Sequence, residues 1–219
     1  MTKSNVQLQQ DVLLELEYEP SVDASSIGVT AKDGIVSLGG NVRSYAEKYA
    51  AVHAAERVAG VTAVADEMKV ELPSLHVRDD KDVASAVVHA LQWDILVPTE
   101  RVKVKVDNGW ITLEGEVDFK YQLMAVENAV RNLTGVKGVT NLIQIKSSGV
   151  VPSEVKAKID NALRRAADVH AEHIKVTVDK GKVILHGKVS SWAERREAER
   201  AAWSASGVLT VEDDLVIAA

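Results

Sequence analysis

The feature that most constrains the fold is a ten-residue segment that occurs three times along the chain. Residues 33–42 read DGIVSLGGNV, residues 108–117 read NGWITLEGEV and residues 180–189 read KGKVILHGKV. In each copy another glycine stands 20 residues after the last glycine of the segment, at Gly60, Gly135 and Gly207. A period of more than about 70 residues is too long for a solenoid repeat and predicts one small domain per copy.

The same order of elements is predicted in every copy. A first helix has apolar residues four positions apart, and a strand with alternating apolar residues follows it. The step Asp33-Gly34 predicts a tight hairpin into a second strand, because both positions must take positive φ. In the first copy a second helix is expected at about residues 44–58 and a third strand at residues 64–70. The apolar positions of the first helices are Leu8, Val12, Leu16, Val83, Val87, Leu91, Val155, Ile159 and Leu163.

These patterns predict an α+β fold of three tandem αββαβ sandwich domains. Each domain is expected to have a three-stranded mixed sheet with two helices on one face, joined by a right-handed crossover. The predicted domains are residues 1–72, 73–149 and 150–219, separated by short segments with proline, serine and glycine. The second face of each sheet is left open to solvent or to a neighbouring domain.

The glycines, the alternating strand residues and the alanine-rich second helix resemble the BON domain. In the first copy the resemblance rests on residues 34–42 and on Gly60-Val61 with Val64 and Asp66. The matching residues of the later copies are Gly135, Val136, Val139, Thr140, Asn141, Gly207, Val208, Val211, Glu212 and Asp213. The resemblance implies a non-catalytic binding module of bacterial osmotic or envelope stress proteins, often regarded as phospholipid-binding. Some relatives bind potassium or assist other proteins instead.

Composition excludes several classes of protein. The chain has no cysteine, which excludes disulfides, cysteine-ligated metals and thiol catalysis. A net charge of −6 argues against nucleic-acid binding. No run approaches about 18 apolar residues, so no transmembrane segment is predicted. The N-terminal sequence has no visible export signal, which predicts a cytoplasmic protein, or a periplasmic one if a leader has been removed.

No pattern of residues in the chain indicates catalysis or a bound cofactor. The nearest approach to a metal motif is the pair His170 and His173, with His186 in the same copy. Two imidazoles without a positioned third ligand make a weak zinc site. We therefore predict no enzyme activity, no cofactor and no metal site, and expect these histidines to be solvated.

A short polar side chain recurs in the third strand, as Asp66, Asn141 and Asp213. Such a side chain commonly accepts a hydrogen bond from nearby backbone. The alternative is that the carboxylates help to bind potassium together with backbone carbonyls.

The second helix of the third copy carries a candidate surface for lipid or for a protein partner. At about 100° per residue, Trp192, Arg196 and Trp203 lie in one stripe, and Arg195 belongs to the same candidate surface. The alanines of this helix form its core side, so both tryptophans are expected to point away from their own core. Trp and Arg suit protein interfaces and membrane surfaces. The stripe either meets such a partner or packs against another copy in the chain.

A second candidate surface lies in the middle copy. Lys103, Lys105 and Trp110 are expected on the open sheet face, and the loop Trp93-Asp94-Ile95-Leu96-Val97 offers an apolar insertion point or tucks under its own helix. Residues 1–72 carry 6 basic and 11 acidic groups, residues 73–149 carry 9 and 10, and residues 150–219 carry 11 and 11. An anionic membrane would therefore repel the first copy and tolerate the other two.

These observations leave three hypotheses for function. The first is weak, reversible binding to a phospholipid surface, which predicts sensitivity to salt and to anionic headgroups. The second is a potassium-responsive protein, whose response sodium would not reproduce. The third is a chaperone-like scaffold for protein partners, which predicts neither behaviour.

Overall fold

The computed structural model describes residues 3–146, 151–166, 169–190 and 192–217, without the side chains of Trp192, Ala193 and Ile217. The three copies, called repeats 1 to 3 from here on, have the same order of elements. Repeat 1 contains α1 (Asn5–Tyr18), β1 (Ile27–Lys32), β2 (Ile35–Val42), α2 (Tyr45–Arg57) and β3 (Ala63–Val70). Repeat 2 contains α3 (Asp80–Trp93), β4 (Val102–Asp107), β5 (Trp110–Val117), α4 (Lys120–Arg131), β6 (Gly138–Asn141) and β7 (Gln144–Ile145). Repeat 3 contains α5 (Pro152–Arg165), β8 (Ile174–Asp179), β9 (Lys182–Val189), α6 (Trp192–Trp203) and β10 (Thr210–Ile217).

Each repeat has its own mixed sheet. In repeat 1 the hairpin strands β1 and β2 are antiparallel, and β3 runs parallel to β2 with Ile35 opposite Ala63. Repeat 3 has the same strand order and the same register, with Lys182 opposite Thr210. The predicted α+β class and the three tandem αββαβ units are therefore confirmed.

The third strand of repeat 2 is interrupted. β6 pairs with the beginning of β5, where Trp110 lies opposite Gly138, and β7 pairs with its end, where Val117 lies opposite Ile145. The offset between partners is the same before and after the break, so the interruption causes no slip in register. Leu142 at the break is 54% exposed, whereas its neighbour Ile143 is buried.

The core of each repeat lies between its sheet and its two helices. All nine apolar positions predicted for the first helices are buried. From the second strand of the hairpin, Val36 and Leu38 point inward in repeat 1, and Val183 and Leu185 do so in repeat 3. The second helices contribute small side chains, which lets a helix approach its sheet closely. These residues are Ala51, Ala54 and Ala55 in repeat 1 and Ala198, Ala201 and Ala202 in repeat 3.

By their internal contacts the described residues form two compact units. The first unit comprises the chain as far as Trp93 together with Val104–Leu113 and Glu127–Asn141, and the second comprises Asp94–Lys103, Glu114–Val126 and the chain from Leu142 onward. Within the first unit, the guanidinium carbon of Arg131 lies 3.8 Å from the centre of the Tyr49 ring. Each unit therefore includes residues of more than one repeat.

Backbone geometry explains why the ten-residue segment recurs. Asp33 and Gly34 both have positive φ, 52° and 83°, as the predicted hairpin requires, and the equivalent turns of repeats 2 and 3 match. Gly40 also has positive φ, and a Cβ atom there would lie 2.2 Å from the carbonyl oxygen of Ser26. Equivalent Cβ atoms at Gly115 and Gly187 would lie 2.0 and 1.9 Å from a carbonyl oxygen. The segment therefore needs glycine at this position, because the carbonyl group just before the first strand leaves no room for a Cβ atom.

This geometry predicts different results for two adjacent glycines. We expect Gly40→Ala to lower the free energy of unfolding by about 2 kcal/mol or more, because the methyl group meets the Ser26 carbonyl and φ is positive. Gly39→Ala is the matched control, since a Cβ atom at Gly39 has no neighbour within 4 Å. Urea unfolding of the full chain measures both. Equal destabilisation by the two substitutions would contradict the steric explanation.

Candidate functional site

One end of each repeat is held together by a polar side chain in the first turn of its second helix. This side chain is Glu47 in repeat 1, Gln122 in repeat 2 and Glu194 in repeat 3. Glu47 and Glu194 are only 8% and 1% exposed. The sequence analysis missed these residues, although Glu, Gln and Glu at equivalent positions of three repeats were a usable signal.

In repeat 1 the buried carboxylate joins two separate pieces of backbone. Glu47 Oε1 accepts a hydrogen bond from the backbone N–H of Asp23 at 2.9 Å, ahead of β1. Its Oε2 accepts from the backbone N–H of Arg43 at 2.7 Å, in the turn after β2. We call this arrangement the carboxylate clasp, because it fastens two loops to the start of α2.

Repeat 3 has the same clasp with more donors. Glu194 Oε1 accepts from the backbone N–H of His170 at 2.7 Å, and Oε2 accepts from the backbone N–H and hydroxyl of Ser190 at 2.6 and 2.7 Å. The His170 imidazole Nδ1 lies 3.1 Å from Oε1. Burial opposes ionisation of this carboxyl group, but the hydrogen bonds from His170 and Ser190 outweigh it and lower the pKa of Glu194 to about 2.

Repeat 2 replaces the carboxylate by an amide for a visible reason. Pro98 stands where repeats 1 and 3 have Asp23 and His170, and proline has no N–H to donate. Gln122 Oε1 accepts from the backbone N–H groups of Asp118 and Phe119 at 2.9 and 3.1 Å. One acceptor oxygen is enough where one of the two loops offers no donor.

The recurring polar residue of the third strand is engaged in local bonds, as its commoner role predicted. Asp66 Oδ1 accepts from the backbone N–H of Met68 at 3.1 Å, and Asp213 Oδ1 accepts from that of Leu215 at 2.9 Å. The other oxygen of each carboxylate pairs with a cation of the second helix. The pairs are Lys48 with Asp66 at 3.1 Å and Arg195 with Asp213 at 2.6 Å. Asn141 Nδ2 donates to Glu127 at 3.2 Å.

The structure changes the interpretation of the stripe on α6. The expectation that Trp203 points away from its own core is wrong. Trp203 is half-buried and packs against the core of repeat 3, because its large ring reaches past the edge of the helix. Lys120 Nζ lies 5.2 Å from the centre of the same ring, inside the second unit. Arg195 is held by Asp213, Arg196 is exposed, and the side chain of Trp192 lies outside the described part of the structure.

The open sheet face of repeat 2 carries the predicted residues. Lys103 and Lys105 are exposed on β4. Trp110 is 47% exposed, yet its ring lies over Gly138, and its Nε1 donates to the Thr140 hydroxyl at 2.8 Å. Trp110 is thus fixed on its own sheet.

The loop after α3 exposes large apolar side chains. Trp93 is 88% exposed, Ile95 is 97% exposed and Leu96 is 50% exposed. Val97, the last residue of this loop, is buried. Asp94 fixes the turn, since its Oδ1 accepts from the backbone N–H of Leu96 at 2.9 Å.

The described residues contain no group of three or more His, Cys, Asp or Glu side chains placed to hold a metal ion. His170 and His173 stack with ring centres 6.0 Å apart, whereas His186 Nδ1 lies 3.2 Å from Asp214. Within the same part of the chain, every helix is too short or too polar to span a bilayer.

Comparisons with known proteins identify a family and a curated relative of this chain. A family model described as BON domain matches residues 4–71, 79–147 and 153–219. Osmotically-inducible protein Y of Escherichia coli (strain K12) is 32% identical over 137 residues, which are 58% of this chain and 65% of that protein. The match therefore covers slightly less than two thirds of that relative.

Two solved structures concern CdsD, a structural protein of the type III secretion system of Chlamydia trachomatis. One is 15% identical, covers 97% of this chain and 92% of that chain, and has a TM-score of 0.28. The other, of the C-terminal domain, is 14% identical, covers 99% and 100%, and has a TM-score of 0.29. TM-scores this low support no conclusion about fold or function.

The carboxylate clasp predicts a specific dependence of stability on pH. Because folding lowers the pKa of Glu194 from 4.5 to about 2, its contribution is complete above pH 4.5 and is lost as the pH falls towards 2. We expect Glu194→Gln to lower the free energy of unfolding at pH 7 by about 1–3 kcal/mol and to flatten its fall below pH 4.5. Chemical unfolding between pH 2 and 7 measures both effects.

The matched control lies in repeat 2. Gln122→Glu should bring no gain in stability at pH 7, because Pro98 leaves the second carboxylate oxygen without the donor that His170 supplies in repeat 3. Equal pH profiles for wild type and Glu194→Gln would contradict the assigned role of Glu194.

Proposed function

The chain belongs to the BON-domain family, and we propose that it is a non-catalytic protein of the bacterial osmotic stress response that attaches weakly and reversibly to phospholipid surfaces. The name of its Escherichia coli relative supports the link to osmotic stress. The single observation that carries the lipid attachment is the exposed apolar turn after α3. We call it the apolar tip and define it as Trp93, Ile95 and Leu96.

Internal comparison supports a role for the apolar tip beyond folding. At the positions equivalent to Ile95 and Leu96, repeat 1 has Pro20 and Ser21, and repeat 3 has an alanine and an aspartate. Large apolar residues at these two positions are therefore not shared by the repeats. Large apolar side chains in solvent lower solubility without adding to the core, so their presence in one repeat favours a contact with another apolar phase.

The apolar tip is also held in one conformation. Asp94 accepts two hydrogen bonds within the turn, from the backbone N–H of Leu96 at its carboxylate and from that of Val97 at its carbonyl. Val97 is buried and anchors the end of the turn. A turn that is already ordered loses little conformational entropy when it enters a membrane interface.

The energetics fit weak attachment. Burying a side chain such as Ile95 contributes about 1.5–3 kcal/mol. Each basic residue close to an anionic surface adds about 1 kcal/mol, and Lys103 is exposed at the start of the strand that follows the tip. Glu114 and Glu116 are exposed on β5 of the same sheet and oppose this attraction. We therefore expect the apolar contact to dominate and the electrostatic contribution to be small.

This proposal predicts that a charge at the tip prevents attachment. Ile95→Asp should reduce binding to vesicles of phosphatidylcholine and phosphatidylglycerol by at least about tenfold, since it removes an apolar contact and adds a charge. Cosedimentation of the full chain measures the bound fraction. Leu75→Asp is the matched control, because Leu75 is 84% exposed, much like Ile95 at 97%, but lies outside the tip.

Fluorescence provides an independent readout. Vesicles should shift the tryptophan emission of the wild type to the blue, and Trp93→Phe should remove most of the shift, because Trp93 is the tryptophan at the tip. Equal vesicle binding by wild type, Ile95→Asp and Leu75→Asp would contradict the proposal. Tryptophan emission should also be recorded without vesicles. If potassium changes this emission and sodium at equal ionic strength does not, the ion-responsive function is favoured instead.

A further inference from the structure

Repeat 3 contains a cavity of about 450 Å³ beside its carboxylate clasp. Its lining includes His170 and His173 from the turn before β8, Lys188 and Val189 from β9, and Ser190 and Glu194 from the start of α6. All of these residues belong to the same compact unit. The volume is within the range of small-molecule sites, about 300–1,000 Å³.

Repeats 1 and 2 have an ion pair at the equivalent place. In repeat 1, Arg43 lies 3.1 Å from Asp23, and the pair connects the turn after β2 to the segment before β1. In repeat 2 the charges are exchanged, and Arg101 before β4 lies 2.7 Å from Asp118 after β5. The two repeats thus form the same bridge with opposite polarity.

Repeat 3 has lost both versions of this bridge. His170 replaces Asp23, and Ser190 replaces Arg43 and Asp118. His173 stands in the place of Arg101. A serine hydroxyl cannot form an ion pair, and the Ser190 hydroxyl donates to Glu194 at 2.7 Å. The described residues of repeat 3 therefore lack the ion pair that repeats 1 and 2 form between these two segments.

The lining favours an anion that also has an apolar part. Lys188 and His173 are exposed, and the His170 side chain is 62% exposed although its Nδ1 lies 3.1 Å from Glu194 Oε1. Glu194 is the acidic group of the lining, and its two oxygens already accept hydrogen bonds from His170 and Ser190. The lining thus combines the basic side chains of Lys188, His170 and His173 with apolar atoms of the same residues.

We propose that this cavity binds a small organic carboxylate. The carboxylate group contacts Lys188 and the imidazoles of His170 and His173, and the apolar body of the ligand occupies the rest of the cavity. This site shares no residue with the apolar tip. The proposal of a carboxylate site therefore does not depend on whether the chain attaches to lipid.

The test uses the full chain and three probes. The imidazole signals of its six histidines are followed by ¹H–¹³C NMR during titration with benzoate, benzyl alcohol or inorganic phosphate. Benzoate should shift the signals of His170 and His173 saturably and leave those of His53, His76 and His89 in place. It should bind about tenfold more tightly than benzyl alcohol, which lacks the charge, and than phosphate, which lacks the apolar body.

Two variants locate the site. The double substitution His173→Arg with Ser190→Asp restores the bridge of repeat 2 and should abolish the benzoate shift of His170. Lys188→Gln removes one exposed cation and should weaken benzoate binding several-fold without affecting the fold. Lys175→Gln, an exposed lysine of β8 outside this cavity, is the matched control and should leave binding unchanged.

The proposal is overturned if benzoate shifts neither His170 nor His173, or if benzyl alcohol binds as tightly as benzoate. Undiminished benzoate binding by the folded double variant would also overturn it. If the double variant does not fold, the benzoate affinities of Lys188→Gln and Lys175→Gln are compared instead. Equal affinities of these two variants would refute the assigned contact with Lys188.

Discussion

The architecture of each repeat depends on one hydrogen-bond acceptor buried in the first turn of its second helix. In repeats 1 and 3 the helix packs closely on the sheet through alanines, whereas the second helix of repeat 2 buries Val126 and Val130. The clasp of Glu47, Gln122 or Glu194 supplies directional bonds at one end. Since buried backbone N–H groups need partners, the loop ahead of the hairpin in repeats 1 and 3 cannot leave the helix without losing one.

Much of the frame could be predicted from sequence because it depends on local patterns. Spacing of four identified the core side of α1, and positive φ at Asp33 and Gly34 followed from the hairpin signal. The clasp could not be predicted in the same way, since Glu47 bonds to Asp23, 24 positions earlier, and that contact exists only once the sheet has formed. Trp203 was misplaced because helical geometry gives the direction of a side chain but not how far a large ring reaches.

A shared frame allows the three repeats to differ in what they expose. Repeat 1 has the most acidic sequence, and its Arg43 and Asp23 form an ion pair beside the clasp. Repeat 2 also keeps an ion pair there but presents apolar side chains on the turn after α3. The described residues of repeat 3 lack this ion pair and line a cavity at the same place. Under the two proposals made above, surface contact and ligand binding are thus assigned to different repeats of one chain.

Native-state amide hydrogen exchange of the full chain tests the central role of the clasp most directly. The backbone amides of Asp23, Arg43, His170 and Ser190 lie outside the helices and strands but donate to buried carboxylates. The account predicts that they exchange as slowly as the amides of β2 and β9, because they are released only when the repeat unfolds. Exchange of these four amides orders of magnitude faster than that of the strands would show that the clasp opens independently and would contradict the account.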